Sequence, residues 1–446
     1  MDLGVGMTFG CILVANRGEI ALRVLRTLRE MGIRGVVALS SLDLADPPPL
    51  ADRIICVGPG EPERSYMDAH RLLTAAVACG AEAVHPGYGF LSEDSRFSRL
   101  CREMGLAFIG PSPETLDLLG DKEAACRLAG EVGIPHLLFS RVDGEAEARR
   151  VSRELEYPVV IKPARGGGGK GIRVVREERD FLRLFREAAA ETPSRNREAG
   201  FYVERFLPGA RHLEVQVMRD GRGRTATFPV RDCSLQYRNQ KWVEETPAAR
   251  CTAALVKGMA RDAARLAEAS GLVGIATVEF LAAGDGYFFL EVNPRLQVEH
   301  AVTELVTGVD LVREQVRLAG GEHLEEPPPP RGHAVEARLY GLSRGARPRL
   351  VLPGGPGIRV DTAPQNPRAL LRYDPLLAKI CAWGPDRAPA VARLRRALEE
   401  TEVENANTNL CQLLRLVTSE PFRSGDYHLQ TMESVTGGKP WITCGE

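Results

Sequence analysis

Hydrophobic periodicity divides the chain into successive regions. The first opens with CILVAN, an uninterrupted apolar run of the kind that forms a strand buried on both faces. Ala21, Val24, Leu25 and Leu28 then follow at i, i+3, i+4, i+7 spacing and predict an amphipathic helix behind Arg17, Gly18 and Glu19. GVVALSS and RIICVG predict two further strands, and AEAVHPGYGF predicts a strand that runs into a glycine-rich loop. Strand–helix alternation implies an open parallel α/β sheet over residues 1–109, interrupted by a proline surface loop at 47–49. Residues 110–136 read as a helical linker around GDKEAACRLAGEVGIP. Residues 137–205 hold strand, glycine loop, strand, helix and strand, a small domain of its own. From 206 to 446 antiparallel β signals dominate, with helices near 389–400 and 409–418 and a stiff proline connector at 327–330. No internal repeat is visible.

The densest signal lies in residues 286–300, GYFFLEVNPRLQVEH. Glu291, Asn293, Arg295, Gln297 and Glu299 occupy every second position, so an extended chain aims all five the same way. The preceding strand, IATVEFLAAG, carries Glu279. With Gly284, Asp285 and Gly286 as the hairpin loop, Glu279 falls directly opposite Glu291. Like charges across a ladder are destabilising, and a divalent cation removes that penalty. The stretch therefore predicts a metal–nucleotide site with polar groups leading away from it, in preference to a solvated sheet face.

YPVVIKPARGGGGKGIRVVRE places a glycine loop between two strands. A Walker loop or a dinucleotide fingerprint would run from strand to helix, so neither reading fits. A glycine hairpin still offers backbone N–H groups to phosphates, with Lys162 beside it; the bland reading is a mobile hairpin. Lys122, in GDK, is a second candidate phosphate contact. FYVERFL puts Glu204 and Leu207 at a strand end between two domains, a hinge suited to holding adenine.

Bulk properties exclude several classes. The 446 residues carry 58 Lys+Arg against 59 Asp+Glu, so no global field favours nucleic acid or an anionic membrane. No apolar run suits a transmembrane helix, and no secretory leader is visible; Met7 reads as a natural start. The ten cysteines are scattered without a C-x-x-C pair, which argues against a zinc site and for free thiols in a reducing cytosol.

Glycine loop, hinge and paired carboxylates in this order resemble the ATP-grasp fold. Longer segments, ILVANRGEIALRVLR, HPGYGFLSED, GDK, IKPARGGGGKGIRVV, RHLEVQV, RDCSLQYRNQKWVEE and EVNPRLQVEH, resemble biotin carboxylase across residues 9–435. The resemblance implies a Rossmann-like N-terminal domain (1–109), a mobile lid subdomain (137–205) and a C-terminal antiparallel domain (206–446). It implies that Lys122, Lys162 and His212 contact ATP phosphates or ribose, that Gly168 and Gly169 lie in the lid loop, and that Glu204 and Leu207 line the adenine pocket. Gln236 and Asn239 match nucleotide-side positions. Glu279, Glu291 and Asn293 match the ligands of Mg²⁺ or Mn²⁺. Lys241, Arg295, Gln297, Val298 and Glu299 match the bicarbonate site, with Glu299 as general base, and Arg359 in GPGIRVD matches the arginine that stabilises the enolate of biotin.

The chemistry so implied is ATP-dependent carboxylation of biotin N1 through carboxyphosphate. The partners implied are a separate biotin carboxyl carrier protein, since no Met-Lys-Met sequence is present, a carboxyltransferase, and a second copy of the chain. Two alternatives remain open on the sequence: a ligase that carboxylates a non-biotin acceptor, and an impaired paralogue that binds nucleotide and scaffolds a carboxylase. His85 and His300 are expected to organise loops, Cys233 to be structural, and His333 to sit on a core strand. The chain departs from the family at Arg165 in the lid, at Val230 and Tyr237 around RDCSLQ, and in a shortened segment between Tyr340 and Gly357. That last departure makes the Arg359 match depend on placing a gap.

Overall fold

Alternate residues of the first strand feed opposite cores. Strand β1 (Cys11–Val14) sends Ile12 and Val14 against Ile20, Val24, Leu25 and Leu28 of helix α1 (Gly18–Glu30), while Cys11 and Leu13 pack with Leu72, Leu73 and Ala76 of the helix Ala69–Cys79. Both faces are covered, as a parallel sheet requires. The computed structural model describes residues 9–164, 171–192, 200–343, 345–364 and 366–437. With β2 (Arg34–Ser40), β3 (Arg53–Gly58), β4 (Ala83–His85) and β5 (Ala107–Phe108) the parallel order is β3-β2-β1-β4-β5. Strand order reverses around β1, so the loops after β1 and β4 form the crevice where such sheets bind ligands. Asn16 Nδ2 ties them together, donating to Pro86 O at 2.7 Å and Tyr88 O at 2.8 Å. Gly87 has φ +64 and a Cβ there would stand 2.9 Å from Asn16 Nδ2, so both torsion and space demand glycine.

The small domain is an antiparallel sheet of β6 (Phe139–Val142), β7 (Val159–Pro163), β8 (Arg173–Val175) and β9 (Phe201–Arg205), ordered β6-β9-β7-β8. Val159, Ile161 and Val203 pack on Phe181, Phe185 and Ala188 of the helix Phe181–Glu191, giving it a core of its own. The glycine loop joins β7 to β8; Arg165, Gly168 and Gly169 lie outside the described residues.

The remainder is built on a ten-stranded antiparallel sheet. Its strands are β10 (Arg211–Arg219), β11 (Thr225–Thr227), β12 (Arg231–Tyr237), β13 (Gln240–Thr246), β14 (Gly274–Ala283), β15 (Gly286–Asn293), β16 (His333–Ser343), β18 (Ile358–Thr362), β19 (Leu376–Gly384) and β21 (Ala406–Thr408); β17 (Arg349–Val351) pairs separately with β20 (Glu402–Glu404). The order is β15-β14-β10-β12-β13-β16-β19-β18, with β11 on β10 and β21 on β16. One end packs Leu213, Val215 and Val278 on the helix Ala253–Ala269. The other packs Val335, Ala337 and Ile380 on the helix Arg387–Glu400. The helices Ala253–Ala269, His300–Thr307 and Leu311–Ala319 were not among the elements expected in this region.

Three expectations need correction. The β14–β15 loop is the two-residue turn Gly284–Asp285, since Ala283 pairs with Gly286. Leu290 is an extra residue that bulges out, and the bulge restores the pairing of Glu279 with Glu291. The chain also does not stay extended to Glu299: β15 ends at Asn293. Pro294 has no N–H to continue a ladder, and the backbone turns through 294–299 before the helix His300–Thr307. Among the described residues eight cysteines are free, but Cys411, half-buried at the start of the helix Leu410–Thr418, is in a disulfide, so the expectation that the thiols stay free does not hold throughout; scattered spacing carried no pairing signal.

Candidate functional site

The site lies where β7, β9 and the first turn of the helix Lys122–Glu131 face the sheet β15-β14-β10-β12-β13. Lys122 is the first residue of its helix, which Asp121 caps by accepting from Ala124 N at 2.8 Å. Lys162 projects from β7. Both ammonium groups meet the buried carboxylate of Glu204 on β9, Lys162 Nζ at 2.7 Å from Oε2 and Lys122 Nζ against Oε1. Burial, then Lys162, pushes Lys122 down to about 7, and burial also lowers Lys162. The carboxylate expected to take the adenine amino group is here held by the two lysines expected to contact phosphate. Leu207 lies just beyond β9, lining a cavity of about 310 Å³ with Leu138, Tyr157, Phe206 and Phe288.

Across from the lysines, Glu279 and Glu291 stand opposite each other on β14 and β15. Glu291 opens to solvent on one side, yet the walls around its carboxyl, and then Glu279, raise its pKa. Glu279 is buried, which alone would raise it, but Lys241 and His212 hold it well below the usual carboxylate range. Its Oε1 accepts from Lys241 Nζ (3.0 Å), Asn293 Nδ2 (2.9 Å) and Gln297 Nε2 (3.1 Å); its Oε2 lies 2.9 Å from His212 Nε2. Two facing carboxylates are the hard donors that Mg²⁺ or Mn²⁺ takes, so Glu279 and Glu291 fit the expected cation, while Asn293 turns its Nδ2 to Glu279 and its Oδ1 to Arg295. The donor atoms of His212, Glu214 and Glu279 themselves lie within 4.8 Å of one another.

Lys241 of β13 is the hub. Its Nζ donates to Glu214 (2.7 Å), Glu279 (3.0 Å) and Glu299 (2.7 Å), joining the facing carboxylate pair to the residue expected to act as base. Burial alone would lower its pKa; Cys233, Glu214, Glu279 and Glu299 hold it well above the ordinary lysine value. Glu299 precedes the helix His300–Thr307 and is buried. Burial would raise it, but Lys241, Arg338 and Arg231 keep it well below the usual range, so it is ionised at neutral pH. Cys233 Sγ is 3.6 Å from Glu299 Oε1, and burial, with Glu214, raises the thiol well above its ordinary pKa, which leaves it inert.

The other predicted residues fall as follows. Arg295 donates through Nη1 to Gln297 Oε1 (2.8 Å) and through Nη2 to Asn293 Oδ1 (3.1 Å), and its Nε meets Glu93 from the N-terminal domain. Val298 packs its side chain on the core beneath β16 and β19, and its carbonyl accepts from Lys379 Nζ at 3.0 Å. Gln236 Nε2 is 2.9 Å from His212 Nδ1. Asn239 lies at the tip of the β12–β13 hairpin. His85 Nδ1 accepts from Gly87 N at 3.0 Å, and burial drops its pKa to about 3; His300 Nδ1 is 2.8 Å from Gln297 O. His333 is buried on β16 beside Glu245, at 2.8 Å. Val230 packs in the core and Tyr237 on Trp242, ring centres 5.2 Å apart.

Arg359 does not join the cluster. It is pinned between Glu304 (2.7 Å) and Asp361 (2.8 Å) on β18, two strands away from β16. The arginine that does reach the site is Arg338 of β16, whose Nη2 donates to Glu299 Oε2 at 2.9 Å and meets Glu244. Sequence reading passed over it, along with Glu214 and Arg231, which pair at 2.6 Å. In HAVEARLY, Val335, Ala337 and Leu339 alternate with Glu336 and Arg338, a pattern that puts the last two on the face away from the core.

Three family models cover nearly the whole chain: the biotin carboxylase N-terminal domain over residues 8–116, the carbamoyl-phosphate synthase L chain ATP-binding domain over 121–327, and the biotin carboxylase C-terminal domain over 342–434. The chain is 39% identical to the biotin carboxylase of Nostoc sp., with 94% of this chain and 98% of that one covered. It belongs to the biotin carboxylase family. Among solved structures it matches, with a TM-score of 0.90 and 34% identity, the biotin carboxylase domain dimer of Hydrogenobacter thermophilus 2-oxoglutarate carboxylase in complex with MgADP, ADP and bicarbonate. That match covers 98% of this chain and 100% of the other. It also matches Rhizobium etli pyruvate carboxylase, with a TM-score of 0.89 and 34% identity, over 96% of this chain and 40% of that much longer one. As a family member, the chain is an ATP-dependent ligase with the ATP-grasp fold.

Proposed function

We propose that this biotin carboxylase uses ATP and bicarbonate to carboxylate N1 of biotin carried on a separate carrier protein, through carboxyphosphate. The observation that carries the reading is Lys241: one ammonium group touches both the cation-binding carboxylate Glu279 and the ionised Glu299. Phosphoryl acceptance and proton removal thus meet at one point.

Arg295 offers bicarbonate a planar fork that lysine would not reproduce. Glu299, held ionised, takes the bicarbonate proton as the oxygen attacks the γ-phosphorus and ADP departs with the bond's electron pair. Lys122 and Lys162 hold the phosphates, so catalysis here is positioning and charge stabilisation. A divalent cation between Glu279 and Glu291, with Asn293, would neutralise charge on the transferred group. Carboxyphosphate then splits to CO₂ and phosphate, phosphate takes the N1 proton of biotin, and N1 attacks CO₂. We assign the oxyanion formed on the ureido ring to Arg338, which sits at Glu299, in place of Arg359, which is held by Glu304 and Asp361 two strands away. Gly168 and Gly169 belong to the loop proposed to close over the nucleotide.

The relatives' names support the partners: domains of larger carboxylases, with a dimer in one solved relative. We infer a biotin carboxyl carrier protein and a carboxyltransferase as partners, a homodimer, and a cytoplasmic setting. Among the described residues no helix is long and apolar enough to cross a membrane.

Glu299→Gln tests the base. It is expected to lower bicarbonate-dependent ATP cleavage by about 10²- to 10⁴-fold, the usual contribution of a positioned base, while ADP binding persists. An unchanged rate would refute the assignment.

A further inference from the structure

We propose that Lys379 is a positioning residue for this reaction: it fixes the Val298–Glu299 peptide from behind, tying it to the N-terminal domain and to its own sheet; this rests on the function proposed above. Lys379 lies on β19, and its side chain has no exposed surface. Its Nζ donates to Val298 O at 3.0 Å. It lies 3.2 Å from Glu19 Oε2, in the first turn of α1, and 3.8 Å from Asp361 Oδ2 on β18. Across the ladders Lys379 stands directly opposite Arg338 on one side and Asp361 on the other.

The geometry bears on mechanism because Val298 O belongs to the segment after Pro294 that has left the sheet. No ladder hydrogen bonds fix its backbone, yet it delivers Glu299 to Lys241 and Arg338. A buried ammonium needs compensating charge, and here Glu19 and Asp361 supply it from outside the active-site cluster. Another of its donors goes to a carbonyl one residue before the base. Glu19 follows the loop that Asn16 ties to Tyr88, and Lys379 lies 6.0 Å from the centre of the Tyr88 ring. The lysine therefore sets the base against the crevice of the N-terminal domain as well as within its own sheet. Small displacements of a positioned group cost about 10²-fold in rate, so holding this peptide is worth a buried charge.

Two variants separate positioning from stability. Lys379→Met leaves Glu19 without its cation and is expected to lower the melting temperature. The double variant Glu19→Gln/Lys379→Met removes both charges and is expected to recover most of the melting temperature. In both, kcat for bicarbonate-dependent ATP cleavage is expected to fall about 10- to 100-fold, with KM for ATP and ADP affinity unchanged. Should the double variant regain wild-type turnover along with stability, Lys379 would be structural only and the positioning role overturned, the proposed function standing. Absence of bicarbonate-dependent turnover in the wild-type chain would overturn the proposed function and the positioning role with it.

Discussion

Lys122 and Lys162 share the single carboxylate of Glu204, so this corner of the cleft holds one positive charge more than it neutralises. Burial and Lys162 bring Lys122 to about 7 from its ordinary 10.5. Between those two values the unfolded chain keeps a proton that the folded, unliganded protein has released, so this group's contribution to stability rises with pH through that window. A bound triphosphate draws the proton back. ATP affinity is therefore expected to weaken above pH 7, and binding at pH 8 is expected to take up a proton, measurable by calorimetry in buffers of different ionisation enthalpy. Lys122→Met should abolish the uptake; a wild type that takes up none would contradict the assignment. The arginines give a second test. Arg338→Gln is expected to lower biotin-dependent turnover by about 10²- to 10³-fold, the range for loss of an oxyanion donor, and Arg359→Gln to leave it little changed; the reverse ranking would restore Arg359. Arg338 was legible in the alternation of HAVEARLY, whereas Arg359 was reached only by placing a gap in a divergent segment.

At the scale of elements, two hairpins hold the site. The β14–β15 register places Glu279 against Glu291, but by a different route from the one read in the sequence. A two-residue turn and a one-residue bulge at Leu290 together produce the same pairing as the three-residue loop expected. Alternation reports which face a residue takes, and a bulge shifts register without changing composition, so face was legible and loop length was not. The β12–β13 hairpin turns at Arg238 and Asn239, with φ of 49° and 62°. Both are left-handed, the requirement of a tight two-residue turn, and asparagine tolerates it. Asn239→Gly is expected to keep this turn, while Asn239→Val strains it by about 1–2 kcal/mol relative to the glycine variant, read in denaturant unfolding. A large rise in the KM for ATP in the glycine variant would instead show that the side chain itself binds nucleotide, the role the family resemblance implied.

At the scale of the molecule, the sequence disclosed the three layers because each has its own periodicity: parallel strands with covering helices, a small glycine-interrupted sheet, and a long antiparallel run. What it did not disclose is the full convergence. The resemblance placed Lys241 of β13 and Glu299 of the turn in one site, but Glu214 of β10, Arg231 of β12 and Arg338 of β16 join them there, and no local pattern links residues so far apart. The three unforeseen helices sit among strand signals for the same reason: their apolar faces serve a sheet whose order only the fold reveals. The proposed function puts ATP cleavage, bicarbonate deprotonation and biotin carboxylation around the single ammonium of Lys241. The most direct test is ADP production by the purified chain with Mg-ATP, with and without bicarbonate, and with and without free biotin. Cleavage that requires bicarbonate and rises strongly with biotin is the predicted result. Bicarbonate-dependent cleavage indifferent to both biotin and biotinylated carrier would contradict it, as would nucleotide binding without turnover.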